Sequence, residues 1–243
     1  MSLFAIADLH LSGQVNKSME VFGARWNGYT QKLVQNWRAV VSDEDTVILP
    51  GDISWGMNLG EALEDLRLLD SLPGKKLIGK GNHDFWWTTV SKMKSFFAEN
   101  HIRSIDFLYN NAYAFDDCVV AGTRGWFGDK SIQKTVGEVD YEKIINREAQ
   151  RLEISLGAAE RLRETAGKPD LPIVVFLHFP PVFGEFVCRE LIDCLHSHRV
   201  RTCYYGHIHG VYNVPQKQEW EDICFRMISA DYLGFTPIPV RTD

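Results

Sequence analysis

Short apolar runs that break off at polar residues recur along the chain. Leu3-Phe4-Ala5-Ile6-Ala7 stops at Asp8, Thr46-Val47-Ile48-Leu49 at Pro50-Gly51-Asp52, and Lys76-Leu77-Ile78-Gly79 shortly before Gly81-Asn82-His83-Asp84. Pro172-Ile173-Val174-Val175-Phe176-Leu177 stops at His178, and Thr202-Cys203-Tyr204-Tyr205 at Gly206-His207-Ile208-His209. Runs this short and this apolar predict buried strands. Between them lie helical patterns. Leu33, Val34, Trp37, Val40 and Val41 mark one over residues 30–41; Asn58 and Glu61 form a capping pair ahead of Leu59, Ala62, Leu63, Leu66 and Leu69. Val90, Met93, Phe96 and Phe97 mark a helix starting after Thr88 or Thr89. Residues 139–166 predict one long or two short helices, and residues 187–197 another. Near residue 106 the pattern turns to closely spaced strands at 107–109, 112–115 and 119–121, the last two joined at Asp116-Asp117. Residues 211–214 and 223–228 read as a terminal hairpin. Strands alternating with helices around a strand-rich middle predict an α/β fold.

At 243 residues and 45% hydrophobic, the chain is long enough for a sizeable core, and one domain over residues 1–243 is expected. No apolar stretch nears the roughly 20 residues of a membrane span, and no signal-peptide pattern opens the chain. The five cysteines are odd in number and lack Cys-x-x-Cys spacing, so reduced, buried thiols in the cytoplasm are expected. A formal charge of -6 lacks the basic signature of a nucleic-acid binder. A small phosphorylated ligand held by metal remains compatible with it.

The polar blocks turn this scaffold into a candidate site. Asn-His-Asp alone is ordinary turn chemistry, but five polar blocks at the ends of five strands call for one explanation. Asp8 and His10, like His207 and His209, are two apart, and in extended backbone such residues point the same way. His196 and His198 share that spacing at the end of a helix, where it does not bring side chains together, so they are expected on the surface with His101. Asp8, His10, Asp52, Asn82, His178, His207 and His209 then form a donor set of imidazoles, carboxylates and one amide, suited to divalent Mn, Fe or Zn. Seven donors suit two ions sharing one carboxylate. With only two carboxylates among them, the site stays cationic and attracts phosphate.

The order Asp-x-His, Gly-Asp, Gly-Asn-His-Asp, His, Gly-His-x-His over residues 8–209 resembles the calcineurin-like metallophosphoesterase superfamily. The resemblance implies a four-layer α/β/β/α sandwich of two mixed β-sheets flanked by helices. It implies two metal ions, one bound by Asp8, His10, Asp52 and His209, the other by Asp52, Asn82, His178 and His207, and a hydroxide between them that attacks phosphorus. His83 would be the catalytic histidine, steered by Asp84. The chain lacks the Asp-Arg-Gly continuation of protein serine/threonine phosphatases and has Asp84 where they have Glu, which argues against that activity. Its opening is similar to that of lipid-precursor diphosphatases, but those carry arginine at the position of His83. Arg124 is a candidate phosphate contact, with a surface ion pair as the alternative, and residues 122–128 and Pro180-Pro181 are expected at the pocket rim. Trp86, Trp87, Trp126 and Phe179 are read as core-packing or rim residues, with substrate stacking as the alternative. A phosphohydrolase acting on a small-molecule mono- or diester is the resulting expectation; the rival is a catalytically silent interaction module on the same fold.

Overall fold

The computed structural model describes residues 1–126 and 141–242. They divide into two compact units, the first comprising Met1–Phe107, Gly206–Val214 and Ile228–Val240, the second Leu108–Tyr205, Pro215–Met227 and the tail from Arg241. The chain passes back and forth between the units, so no linker in the sequence marks a boundary.

In the first unit β1 (Leu3–Ala5), β2 (Thr46–Leu49), β3 (Lys75–Ile78) and β4 (Ile105–Phe107) pair in parallel, with β13 (Ile238–Pro239) antiparallel on the β1 edge. Pro239 is tolerated there because an edge strand leaves its outer side unpaired. Parallel strands need apolar faces on both sides, and every residue of β2 is buried. Each helix turns an apolar stripe inward: Leu33 and Trp37 on α1 (Tyr29–Val40), Leu66 and Leu69 on α2 (Leu63–Asp70), Met93 and Phe97 on α3 (Val90–Glu99). Thr89 caps α3 by accepting from the Lys92 N–H, whereas Asn58 and Glu61 bond each other around a turn that ends before α2 begins. Trp86 and Trp87 are buried, as expected of packing residues, and Trp87 and Phe97 both contact Phe107.

The second unit is built on a mixed sheet in the order β11-β12-β10-β7-β6-β5. Its members are β5 (Asn111–Ala114), β6 (Val119–Thr123), β7 (Ile173–Leu177), β10 (Thr202–Tyr205), β11 (Lys217–Trp220) and β12 (Ile223–Met227). A small ribbon, β8 (Val182–Phe183) with β9 (Phe186–Val187), stands apart from it. The expected β5–β6 hairpin is present. The terminal hairpin differs from expectation, since β12 pairs with Lys217–Trp220 and not with 211–214. β11 is polar and only half-buried on alternate residues, so it carries no apolar signal. Residues 141–165 form one continuous helix, α4, packed on β5 and β6; residues 139 and 140 of that expectation lie outside the described residues. Ser155 of α4 accepts from the Gly122 N–H and donates to Asn111 O, tying the helix to both strands. All five cysteines are free and buried, and no helix among the described residues is long and apolar enough to cross a membrane. The mixed α/β fold thus has the two large mixed sheets flanked by helices that the resemblance implied.

His198, at the end of α5 (Arg189–Ser197), is not the surface residue its spacing predicted. Its side chain is 9% exposed, and its ring nitrogens lie 2.8 Å from Glu153 and 2.9 Å from Glu160, both on α4. Burial favours the neutral ring, but the hydrogen bonds and charges of the two glutamates outweigh it and raise the pKa. A raised folded pKa contributes stability that is complete below the unfolded value of about 6.5 and fades as pH rises through the folded one. His198→Gln is therefore expected to lower the melting temperature more at pH 6 than at pH 9. Equal losses at both pH values would rule out a charged clamp.

Candidate metal centre

Asp8 and His10 follow β1, Asp52 follows β2, and Asn82, His83 and Asp84 follow β3, at the C-terminal ends of three adjacent parallel strands. His207 and His209 enter the same unit from β10. The convergence does not come from the strand alternation that the sequence suggested. β1 ends at Ala5, and Asp8 (φ 58°), His10 (φ 47°), Asp52 (φ 53°) and His207 (φ 70°) are left-handed. Such backbone costs on the order of 1–3 kcal/mol per residue and persists where neighbours enforce it.

The neighbours here are the loops themselves. Asp8 N–H donates to Gly51 O (3.1 Å), His10 N–H to Asp52 O (2.9 Å) and Leu11 N–H to Ile53 O (2.9 Å), while Trp55 N–H returns to Leu11 O (2.9 Å). The loops after β2 and β3 pass so closely that a Cβ on Gly81 would stand 2.0 Å from Asp52 Oδ1. Only glycine fits. Asp8 accepts the His207 N–H on both oxygens (2.9 and 2.8 Å), and Asp52 Oδ1 accepts the His83 N–H (2.8 Å).

Asp84 departs from its expected role of steering His83. Its oxygens accept N–H groups from Asp52 (2.8 Å), Ile53 (2.8 Å), Ser54 (3.4 Å) and Gly81 (2.7 Å), and the Trp86 indole (3.1 Å). The carboxylate therefore ties the Asp52 loop to the Gly81 turn.

One donor atom from each of Asp8, His10 and Asp52 lies within 4.8 Å of the others, and all three residues are buried. His10 is 1% exposed, yet neither ring nitrogen has a hydrogen-bond partner among the described residues; the nearest carboxylate oxygen, on Asp52, is 3.6 Å from Nε2. A buried polar atom left so costs about 1–3 kcal/mol unless a ligand satisfies it. Burial, then the neighbouring His209, His83 and His207, hold His10 well below the usual imidazole range, so it is neutral and has lone pairs to give. Burial, with the charges of Asp231 and Asp84 adding, pushes the Asp8 carboxyl up to about 7 against its bonds to Ser229 and His207. A divalent cation would reverse that balance, stabilising the carboxylates and using the neutral imidazole. The residues fit a metal.

The other candidates surround this trio. The His209 ring stands edge-on to His10 at 5.2 Å, and His207 Nδ1 lies 3.0 Å from Asn82 Oδ1. The half-buried His83 ring is 5.5 Å from His10 and 4.4 Å from Trp55. His178 and Arg124 belong to the second unit. There His178 is fully buried at the end of β7, and its N–H and that of Phe179 both donate to Arg124 O. The Arg124 guanidinium lies 5.2 Å from the Phe179 ring and 5.6 Å from Trp126, and its charge acts on buried Glu148. Of the expected rim, residues 127 and 128 lie outside the described residues, and Pro180 and Pro181 are buried.

Several residues at the centre went unmarked in the sequence. Trp55 stacks on His10 at 5.0 Å, Trp26 contacts both His10 and His209, and the Tyr29 hydroxyl donates to His10 O (2.8 Å). Asp231 accepts from Gly210 N–H and the Tyr212 hydroxyl, holding the loop after His209. It also follows an apolar strand, β12, and that signal could have found it.

A calcineurin-like phosphoesterase family model matches residues 1–211. Among solved structures, TT1561 of Thermus thermophilus is 12% identical with a TM-score of 0.55, over 99% of this chain and 98% of that one. A protein of unknown function from Aquifex aeolicus, AQ665, is 16% identical with a TM-score of 0.46, over 98% and 95%. At such identity the first of these speaks for a shared fold alone. No curated protein matches the chain significantly.

Proposed function

The chain belongs to the calcineurin-like phosphoesterase family, and from that premise we propose that it is a metal-dependent phosphohydrolase cleaving a small-molecule phosphomono- or diester. The observation that carries this reading is the buried Asp8-His10-Asp52 cluster with its unsatisfied imidazole. Asp8, His10, Asp52 and His209 would hold one divalent ion, and Asp52, Asn82 and His207 would contribute to a second, with Asp52 shared. Nitrogen and oxygen donors without thiolate favour Mn, Fe or Zn. When bound, such ions supply Lewis-acid stabilisation to a phosphoryl group and make water a better nucleophile. The chain's own part is to fix the donors in left-handed loops before substrate arrives, and to present His83 as the acid that protonates the departing oxygen.

Hydrolysis of nitrophenyl phosphate and bis-nitrophenyl phosphate by Mn²⁺-loaded protein tests the proposal, with chelator-treated protein as control. Asp52→Asn should cost more metal affinity than the about 10–100-fold typical of an outer-shell partner, and hydrolysis should fall with it. Turnover that survives complete metal removal would overturn the reading. Metal binding without hydrolysis of any ester would favour the silent module.

A further inference from the structure

α2 turns Leu66 and Leu69 into the core, and next to Leu66 it also buries a carboxylate, that of Asp65, at 2% exposure. Burying a carboxylate is costly unless its bonds matter to the fold or the site. Both of its bonds go to the loops of the metal centre. Oδ1 accepts the N–H of Gly13 (2.7 Å), three residues beyond His10, and Oδ2 accepts the hydroxyl of Ser54 (2.5 Å), two residues beyond Asp52. Ser54 Oγ in turn accepts the Gly56 N–H (3.1 Å).

We propose that Asp65 is a positioning residue for the metal centre, clamping together the two loops that carry His10 and Asp52. The inference rests on the metal-binding reading above. Between ligands and clamp the loops form a short ladder, with His10 N–H on Asp52 O, Leu11 N–H on Ile53 O and Trp55 N–H on Leu11 O. The His83 N–H and the Asp84 carboxylate secure the ligand side from the β3 loop; Asp65 closes the other end. A ladder this short frays when one end is released, and His10 and Asp52 are both left-handed residues that relax once their neighbours stop enforcing φ. A small rotation at either backbone carries the side-chain donor away from its partner. The fit is close, since a Cβ on Gly13 would stand 2.9 Å from Asp65 Oδ1.

Titration of Mn²⁺ into metal-stripped protein, followed by calorimetry, tests the clamp without relying on turnover. Asp65→Ala is expected to raise the Kd for Mn²⁺ by about 10–100-fold, the range for residues that orient metal ligands. Asp65→Asn should stay close to wild type, because its carbonyl still accepts from Gly13 while its amide donates to Ser54 Oγ. Ser54→Ala removes one bond and should fall between; it also serves if Asp65→Ala does not fold. A merely structural Asp65 would lower the melting temperature of metal-free protein and leave Kd unchanged, and that result overturns the proposal. Wild-type protein that binds no Mn²⁺ would overturn the metal reading itself, and the clamp with it.

Discussion

His83→Asn is expected to slow hydrolysis of an alkyl phosphoester by about 10²- to 10⁴-fold, or about 3–5 kcal/mol of barrier, while metal content stays at the wild-type level. The argument separates the main chain of this residue from its ring. The main-chain N–H donates to Asp52 Oδ1, and asparagine keeps that bond. The ring is half-buried, 5.5 Å from His10 and 4.4 Å from Trp55, at the margin of the cluster defined by Asp8, His10 and Asp52. A group so placed suits proton delivery to a leaving oxygen. An alkoxide needs that proton and a nitrophenolate hardly does, so the loss should be smallest for nitrophenyl esters. Equal losses on both substrates, measured on variant protein of verified metal content, would remove His83 from the leaving-group step; loss of metal would make it a ligand.

The blocks of the centre were legible because each follows a buried parallel strand, a pattern that survives as an apolar run stopping at a polar residue. Their identity was visible, but the way they converge was not. Alternation in extended backbone was the available argument, whereas Asp8, His10, Asp52 and His207 are aimed by left-handed turns enforced through loop-to-loop hydrogen bonds. Asp and His adopt left-handed backbone more readily than most residues, but that preference does not say which of them will; at Asp52 it goes with the close approach of two loops through Gly51 and Gly81. The same limit hid Asp65 and Trp55, whose partners lie on other loops. β11 was missed for the opposite reason: a polar, half-exposed strand takes its structure from pairing with β12 and has no apolar pattern of its own. His198 was misplaced because helix-end spacing says nothing about a second helix carrying Glu153 and Glu160.

Asp84 is where sequence and structure differ most consequentially, and its replacement tells the two roles apart. A residue that only steered the His83 imidazole would tolerate Asn in fold and metal binding, losing rate alone. The hydrogen bonds describe something else: Oδ2 takes the N–H groups of Asp52 and Gly81, and Oδ1 those of Ile53, Ser54 and the Trp86 indole, all with Asp84 at 1% exposure. An amide nitrogen cannot accept, so Asp84→Asn points its NH₂ at two donors in one orientation and at three in the other. Each buried N–H left without an acceptor costs about 1–3 kcal/mol, and breaking such a buried charged network typically totals about 3–5 kcal/mol. For a chain of this size 1 kcal/mol corresponds to about 2–4 °C, so both Asp84→Asn and Asp84→Ala should melt roughly 6–20 °C lower. Because the released loops carry Asp52 and Asn82, metal affinity should fall in parallel, and rate should fall in proportion to the metal-loaded fraction. Thermal melts and metal analysis on the same preparations decide it: an Asp84→Asn protein with wild-type melting temperature and metal content but little activity would return Asp84 to the role of steering His83.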